Sequence, residues 1–300
     1  MEYRVKKLIG CALALIFLTG MPRAWADSAV EHRKQGESLL TSGDLDGAIK
    51  EFRTAVQLEP KSSQNHFELG SALKRHGQLE DAISEYRASL RLEPKLAEAH
   101  ANIGSILQFE GDYPEAIKEY KEAIRLQPDL AVAHANLGAA LRIQRKLDEA
   151  IFELRTAVRL DPNIAEAHRD LGFSLALKRD MDGAIPELRE AIRLDPNMTE
   201  AHLGLGNALQ VKGKLDDAIS EYREAIRLNP RGATAHENLA SALFMKGNKA
   251  EGQKELDEAQ RLDPSLANRM PMAPRPEQST PPKPPAPVEP KPVQPVGPGQ

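Results

Sequence analysis

Seven of the eight histidines in this 300-residue chain stand 34 residues apart: His32, His66, His100, His134, His168, His202 and His236. Histidine is the commonest metal ligand and the usual proton carrier near neutral pH, so such a row raises metal binding and acid–base chemistry together. A metal site needs its ligands within about 2.1 Å of one ion. Packed helices sit about 8–10 Å apart, so equivalent side chains from successive copies of a unit cannot converge on one ion. The row therefore predicts packed histidines, buried and neutral, each with one ring nitrogen satisfied locally. Burial of that kind lowers a histidine pKa and predicts a protein that weakens in mildly acidic buffer. His76 falls outside the series and reads as a surface residue.

The pattern holds little other chemistry. Residues 27–300 contain no cysteine, and the chain has no HExxH, P-loop, GxSxG or dinucleotide-binding glycine pattern. The many Asp and Glu residues recur at outward positions and read as a solvated helix surface. An enzyme is not predicted, and neither a metal nor a cofactor is expected.

The histidines are positioned by pairs of short helices, clearest in residues 97–130. His100, Ile103, Gly104 and Leu107 recur at i, i+3, i+4 and i+7, one face of a first helix. Gly111 ends it, and Pro114 stands near the start of a second helix, where its missing N–H costs little. Ala116, Ile117, Tyr120, Ala123 and Ile124 line the inner face of that second helix, and Pro128 closes the unit. Such a pair leaves apolar surface on both outer sides and needs neighbours.

The neighbours follow in register, because Pro60, Pro94, Pro128, Pro162, Pro196, Pro230 and Pro264 are also 34 residues apart. Seven units result: 29–62, 63–96, 97–130, 131–164, 165–198, 199–232 and 233–266. Position 8 is Gly36, Gly70, Gly104, Gly138, Gly172 and Gly206, then Ala240. Position 20 is alanine in six units and Gly252 in the seventh. Position 24 is large: Phe52, Tyr86, Tyr120, Leu154, Leu188, Tyr222 and Leu256. This period and pattern resemble the tetratricopeptide repeat (TPR) family over 238 of the 300 residues. The resemblance implies an all-α fold, a right-handed TPR superhelix (α-solenoid) of seven helix-turn-helix repeats whose first helices line a concave groove.

The ends of the chain differ from its middle. Met1 to Ala26 reads as a signal peptide, with Arg4, Lys6 and Lys7 before a short apolar run and Ala24-Trp25-Ala26 as a cleavage site. Cys11 begins that run rather than following it, which argues against a lipid anchor. An exported protein, periplasmic or secreted and starting at Asp27, is expected, with no stable membrane anchor after cleavage. Gln35 in repeat 1, and Gln253 and Gln260 in repeat 7, stand where other repeats are apolar, and read as caps of a monomeric array. Residues 271–300 carry twelve prolines and read as an extended, disordered tail. Pro186, inside the second helix of repeat 5, predicts a local kink.

By the same resemblance, positions 2, 5, 6, 9, 12 and 13 of each first helix face the groove. Position 6 then supplies Asn102, Asn136 and Asn238, interrupted by Asp170 and Gly204. An asparagine offers a donor and an acceptor, matching the paired polar groups of an extended peptide backbone. Ala101, Ser105, Ala135 and Ala139 beside the first two are small and leave room for it. Lys74, Arg75 and Arg142 supply cations for acidic side chains. Removing residues 1–26 takes the formal charge from −4 to −7, a balance that argues against nucleic acid as a partner. The expected function is a non-catalytic scaffold that binds a protein or peptide in the groove. The other readings are a spacer in an envelope assembly, using the outer face or the proline-rich tail, and an accessory subunit of an enzyme such as a glycosyltransferase.

Overall fold

The computed structural model describes residues 23–268, and among these the chain is built from α-helices with no strand. The fourteen helices form seven pairs: α1 (Arg23–Ser42) with α2 (Leu45–Leu58), α3 (Ser63–His76) with α4 (Leu79–Leu92), and α5 (Ala97–Phe109) with α6 (Tyr113–Leu126). Then come α7 (Ala131–Ile143) with α8 (Leu147–Leu160), α9 (Ala165–Leu177) with α10 (Met181–Leu194), α11 (Thr199–Val211) with α12 (Leu215–Leu228), and α13 (Ala233–Lys246) with α14 (Lys249–Leu262). A short 3-10 turn, Pro264–Asn268, follows. Each pair packs on the next, so the molecule is a linear solenoid.

Local chemistry sets the boundaries. Asp112 accepts a hydrogen bond from the Glu115 amide at 3.3 Å to cap α6, and Asp180 accepts from the Gly183 amide at 2.9 Å to cap α10. First helices turn into second helices through a left-handed residue, Gly111 at φ 87° for example, where a Cβ is costly. In repeats 4 and 5 that place is taken by Arg145 at φ 61° and Arg179 at φ 66°.

The pairs close on a small-against-large contact. A Cβ at Gly206 would lie 2.5 Å from the Tyr222 ring, so only glycine lets α11 and α12 approach this far. Repeat 7 inverts the arrangement: Gly252 lies on its second helix, where a Cβ would be 2.9 Å from the Phe244 ring of the first. Phe52, Tyr86, Tyr120, Leu154, Leu188 and Tyr222 are all fully buried, each contributing roughly 1.5–3 kcal/mol. One apolar core runs from Ala48 to Leu243.

Gln35 and Gln253 are exposed at the two ends, and Leu266 of the 3-10 turn is buried against the last pair. Helix α10 keeps the 14-residue length of the other second helices with Pro186 inside it, its ring exposed. Of the expected signal peptide, residues 1–22 lie outside the described residues, and Ala24 to Ala26 lie in the first turn of α1. The proline-rich residues 271–300 also lie outside them. No described helix is long and apolar enough to cross a membrane.

Candidate functional site

The histidine row is a ladder of paired groups, and its partners were not anticipated from sequence. Each Nδ1 lies 2.6–2.7 Å from a glutamate of the second helix of the same repeat: His32–Glu51, His66–Glu85, His100–Glu119, His134–Glu153, His168–Glu187, His202–Glu221 and His236–Glu255. In five repeats Nε2 also meets the carbonyl of the preceding proline, as from His134 to Pro128 at 3.0 Å. A carboxylate and a carbonyl can only accept, so His168 and His202, which meet both, donate from both nitrogens in the imidazolium form.

The pKa of His168 and that of His202 are accordingly raised, first by the hydrogen bond to Glu187 or Glu221, with burial opposing. For His168 and His202 this overturns the expectation of a neutral histidine with a lowered pKa. The available signal was a glutamate 19 residues after every histidine, read instead as solvated surface. Among the described residues no group of three or more His, Cys, Asp or Glu is placed to hold a metal ion.

The concave row is less regular. Asn102 and Asn136 occupy the same place on α5 and α7, both half-buried. The Asn102 carbonyl oxygen accepts from Lys74 Nζ at 2.9 Å, which leaves its amide nitrogen free. Asn136 has no side-chain hydrogen bond among the described residues, so both its donor and its acceptor are open. On the same two helices Ala101, Ala135 and Ala139 are buried, and Ala101 packs with Ala123 and Ala133 between adjacent repeats. Ser105 donates to the Asn102 backbone carbonyl at 2.9 Å.

Beyond Asn136 the row changes character. Asp170, almost fully buried, accepts from Arg142 at 3.0 Å and Arg169 at 3.2 Å. Arg142 also lies 5.6 Å from the Phe173 ring centroid, so its charge is engaged within the protein. Phe173 covers Gly204, where a Cβ would lie 2.2 Å from the ring. Asn238 stands past this block and gives its amide to Asn207 at 3.0 Å, while Tyr222 donates to the same Asn207 oxygen at 2.7 Å. The structure therefore brings Asn102 and Asn136 together and sets Asn238 apart.

The cations divide in the same way. Lys74 is partly buried, which lowers its pKa, and it donates to the neutral Asn102 side chain. Arg75 reaches back 3.5 Å to the Leu40 carbonyl at the end of α1. Arg33 is spent on Glu37 at 2.9 Å.

A cleft of about 820 Å³ opens between repeats 6 and 7, away from this row, lined by His202, Asp216, Glu221, Arg223, Lys246 and Glu251 among others. Its charges pair with one another, Arg223 with Glu251 at 2.6 Å, His202 with Glu221 at 2.7 Å and Lys246 with Asp216. It presents a salt-bridged surface rather than an open binding chemistry.

Comparison with known proteins agrees with this architecture. Models described as tetratricopeptide repeat match residues 33–97, 131–164, 175–221 and 203–267, and one described as TPR repeat matches 110–142. No curated protein matches the chain. Among solved structures the chain is similar to YrrB, described as a TPR protein with an unusual peptide-binding site, at 24% identity and TM-score 0.53 over 61% of this chain and 94% of that one. It is similar to MamA at 26% identity and TM-score 0.51, over 59% and 98%. PilF of Pseudomonas aeruginosa gives 21% identity and TM-score 0.64, over 71% and 96%. Repeats of this kind are generally non-catalytic interaction modules, and the fold supports a protein–protein interaction scaffold. With matched segments spread from residue 33 to residue 267 along one continuous array of helix pairs, the chain belongs to the tetratricopeptide repeat family.

Proposed function

We propose that this protein is a non-catalytic scaffold that holds an extended peptide across the first helices of repeats 3 and 4. The observation that carries the reading is the pair Asn102 and Asn136, at the same position of α5 and α7, with unused hydrogen-bonding groups and small alanines as their neighbours on those helices. An extended backbone offers alternating donors and acceptors, which a carboxamide can meet two at a time. Lys74, a partly desolvated ammonium beside Asn102, favours an acidic side chain in the same peptide. The blockade at Asp170 and Phe173 limits the grip to the N-terminal part of the groove. Asn136, with both groups open, contributes more than Asn102, and Asn238 contributes little.

The site of action in this reading is outside the cytoplasm, as a monomer beginning at Asp27. Intact-mass spectrometry of the exported form tests this, and a retained Trp25 would contradict it. The binding test starts with capture of the partner from the native compartment, followed by calorimetric titration of the Asn102→Ala, Asn136→Ala double variant. Each lost hydrogen bond weakens binding by about 0.5–1.5 kcal/mol, more where a buried peptide group is left unpaired. Unchanged affinity in the double variant, together with loss of binding when residues 271–300 are removed, would move the function to the tail and favour a spacer or assembly role.

A further inference from the structure

Five consecutive first helices end in an exposed apolar side chain at position 13: Phe109, Ile143, Leu177, Val211 and Met245. Phe109 is 81% exposed and Val211 67%, unusual for large apolar groups that recur once per repeat. Repeats 1 and 2 carry Thr41 and Arg75 there, so the stripe belongs to repeats 3–7. It adjoins position 12 of the preceding first helix, because Gln210 Nε2 of repeat 6 lies 3.3 Å from Met245 Sδ of repeat 7. Exposed apolar groups aligned in this way mark a surface that binds another chain segment.

The covering chemistry is present in the same chain. Polyproline II has three residues per turn and rises about 3.1 Å per residue, so every third residue lies on one edge about 9 Å apart. In the tail the residues at that spacing are Pro281, Pro284, Pro287, Pro290, Val293 and Val296, an unbroken apolar edge. Packed helices repeat at about 8–10 Å, so one turn of such a strand advances by one repeat.

Length and charge agree. Asn268 falls where an eighth first helix would begin, and residues 269–280 can span about 37 Å when extended. A 13-residue helix is only about 20 Å long, so they reach Met245 easily. The tail carries Arg269, Arg275, Lys283 and Lys291 against Glu277 and Glu289, a net of +2. Residues 1–26 account for +3 of the chain's −4, which leaves −9 on residues 27–268. The tail and the array therefore carry opposite net charge.

We propose that residues 281–298 dock in polyproline II form along the position-13 stripe of the same molecule, entering at Met245 and running towards Phe109. The docked strand forms one edge of the groove, and a partner that needs this edge displaces it. The inference does not depend on the asparagine reading, since the stripe and the polar row share no residue.

The test places a photo-reactive benzoylphenylalanine in the full-length chain at Phe109 or, as reference, at Phe152. Phe152 is an equally bare aromatic, 68% exposed, on the second helix α8. The expected result is crosslinking within single molecules from position 109 to residues 281–298, independent of protein concentration and at least about tenfold above that from position 152. Pro284→Asp, Pro287→Asp and Pro290→Asp together keep the tether length, and should reduce the yield at 109 to the level of 152. Equal yields from the two positions, or a yield untouched by the three aspartates, mean that tethering alone brings the tail near, and overturn the proposal. Crosslinks only between two copies overturn it as well.

Discussion

Each first helix serves two surfaces, and they vary in opposite ways along the array. On the side facing its partner helix, every repeat sets a small residue against a large one, and repeat 7 keeps the contact even while exchanging which helix supplies each. On the concave side the same helices present Lys34, Glu68, Asn102, Asn136, Asp170, Gly204 and Asn238 at one equivalent position. The inner contact is tightly constrained, because two backbones must close on one large side chain, a ring in five repeats and a leucine in repeats 4 and 5. The concave position has no such constraint and is free to differ in every repeat. Binding chemistry is therefore local to a few repeats, while stability is distributed over all of them.

The largest expected effect tests the inner side. Tyr222→Ala should cost about 3–5 kcal/mol in denaturant unfolding, since the ring is fully buried and its hydroxyl lies within hydrogen-bond reach of the Asn207 and Gln210 side-chain oxygens, at 2.7 and 2.9 Å. Asn136→Ala, on the concave side, should stay within about 0.5 kcal/mol. Comparable losses would erase the distinction between the two surfaces.

Gly206→Ala sharpens the same contrast with one methyl group. Overpacking costs roughly 1–3 kcal/mol, offset by about 1 kcal/mol of helix propensity. Tyr222 is anchored through its hydroxyl and cannot easily retreat, so net destabilisation of about 1 kcal/mol is expected. A stabilised variant would show that the small-large contact is looser than it looks.

Arg145→Gly should raise stability by about 1 kcal/mol, because arginine holds a left-handed backbone there at φ 61°. The effect belongs to the turn and should leave partner affinity unchanged. A lowered denaturation midpoint would mean that the arginine side chain contributes contacts outweighing its strain.

The smallest effect is one of pH. For His168 and His202 the folded pKa lies above the unfolded value of about 6.5. Their contribution is thus complete below that value and is lost as pH rises through the folded pKa. Glu187 and Glu190 face His168, and Glu221 and Glu224 face His202; Arg193 and Arg227 hold Glu190 and Glu224 in turn. The melting temperature should fall slightly between pH 6 and pH 8, and His168→Gln with His202→Gln should flatten the slope. A protein that instead weakens towards pH 5.5 would restore the neutral-histidine reading.

Some of this was legible from residues alone. The 34-residue period, the stop at each proline and the glycine facing position 24 are one-dimensional signals, because each repeat buries its large residue against a helix less than twenty residues away. The division of the concave row was not. Asn102 and Asn136 are the same residue at the same position, yet Lys74 of the preceding repeat occupies one oxygen and leaves the other amide open. Arg142 was expected to face an acidic ligand, and its charge lies instead on Asp170 of the next repeat.

By itself, the sequence determined the number of helix pairs, their order and the small-large contact inside each, since packing within a repeat depends only on residues close in the chain. The tertiary structure decided which groups remain available: the histidines find glutamates on the facing helix, Phe173 closes over Gly204, and Asn238 is tied to Asn207. Those outcomes depend on how side chains from different helices and different repeats compete for the same few ångströms, and a single repeat read along the chain holds no record of that competition.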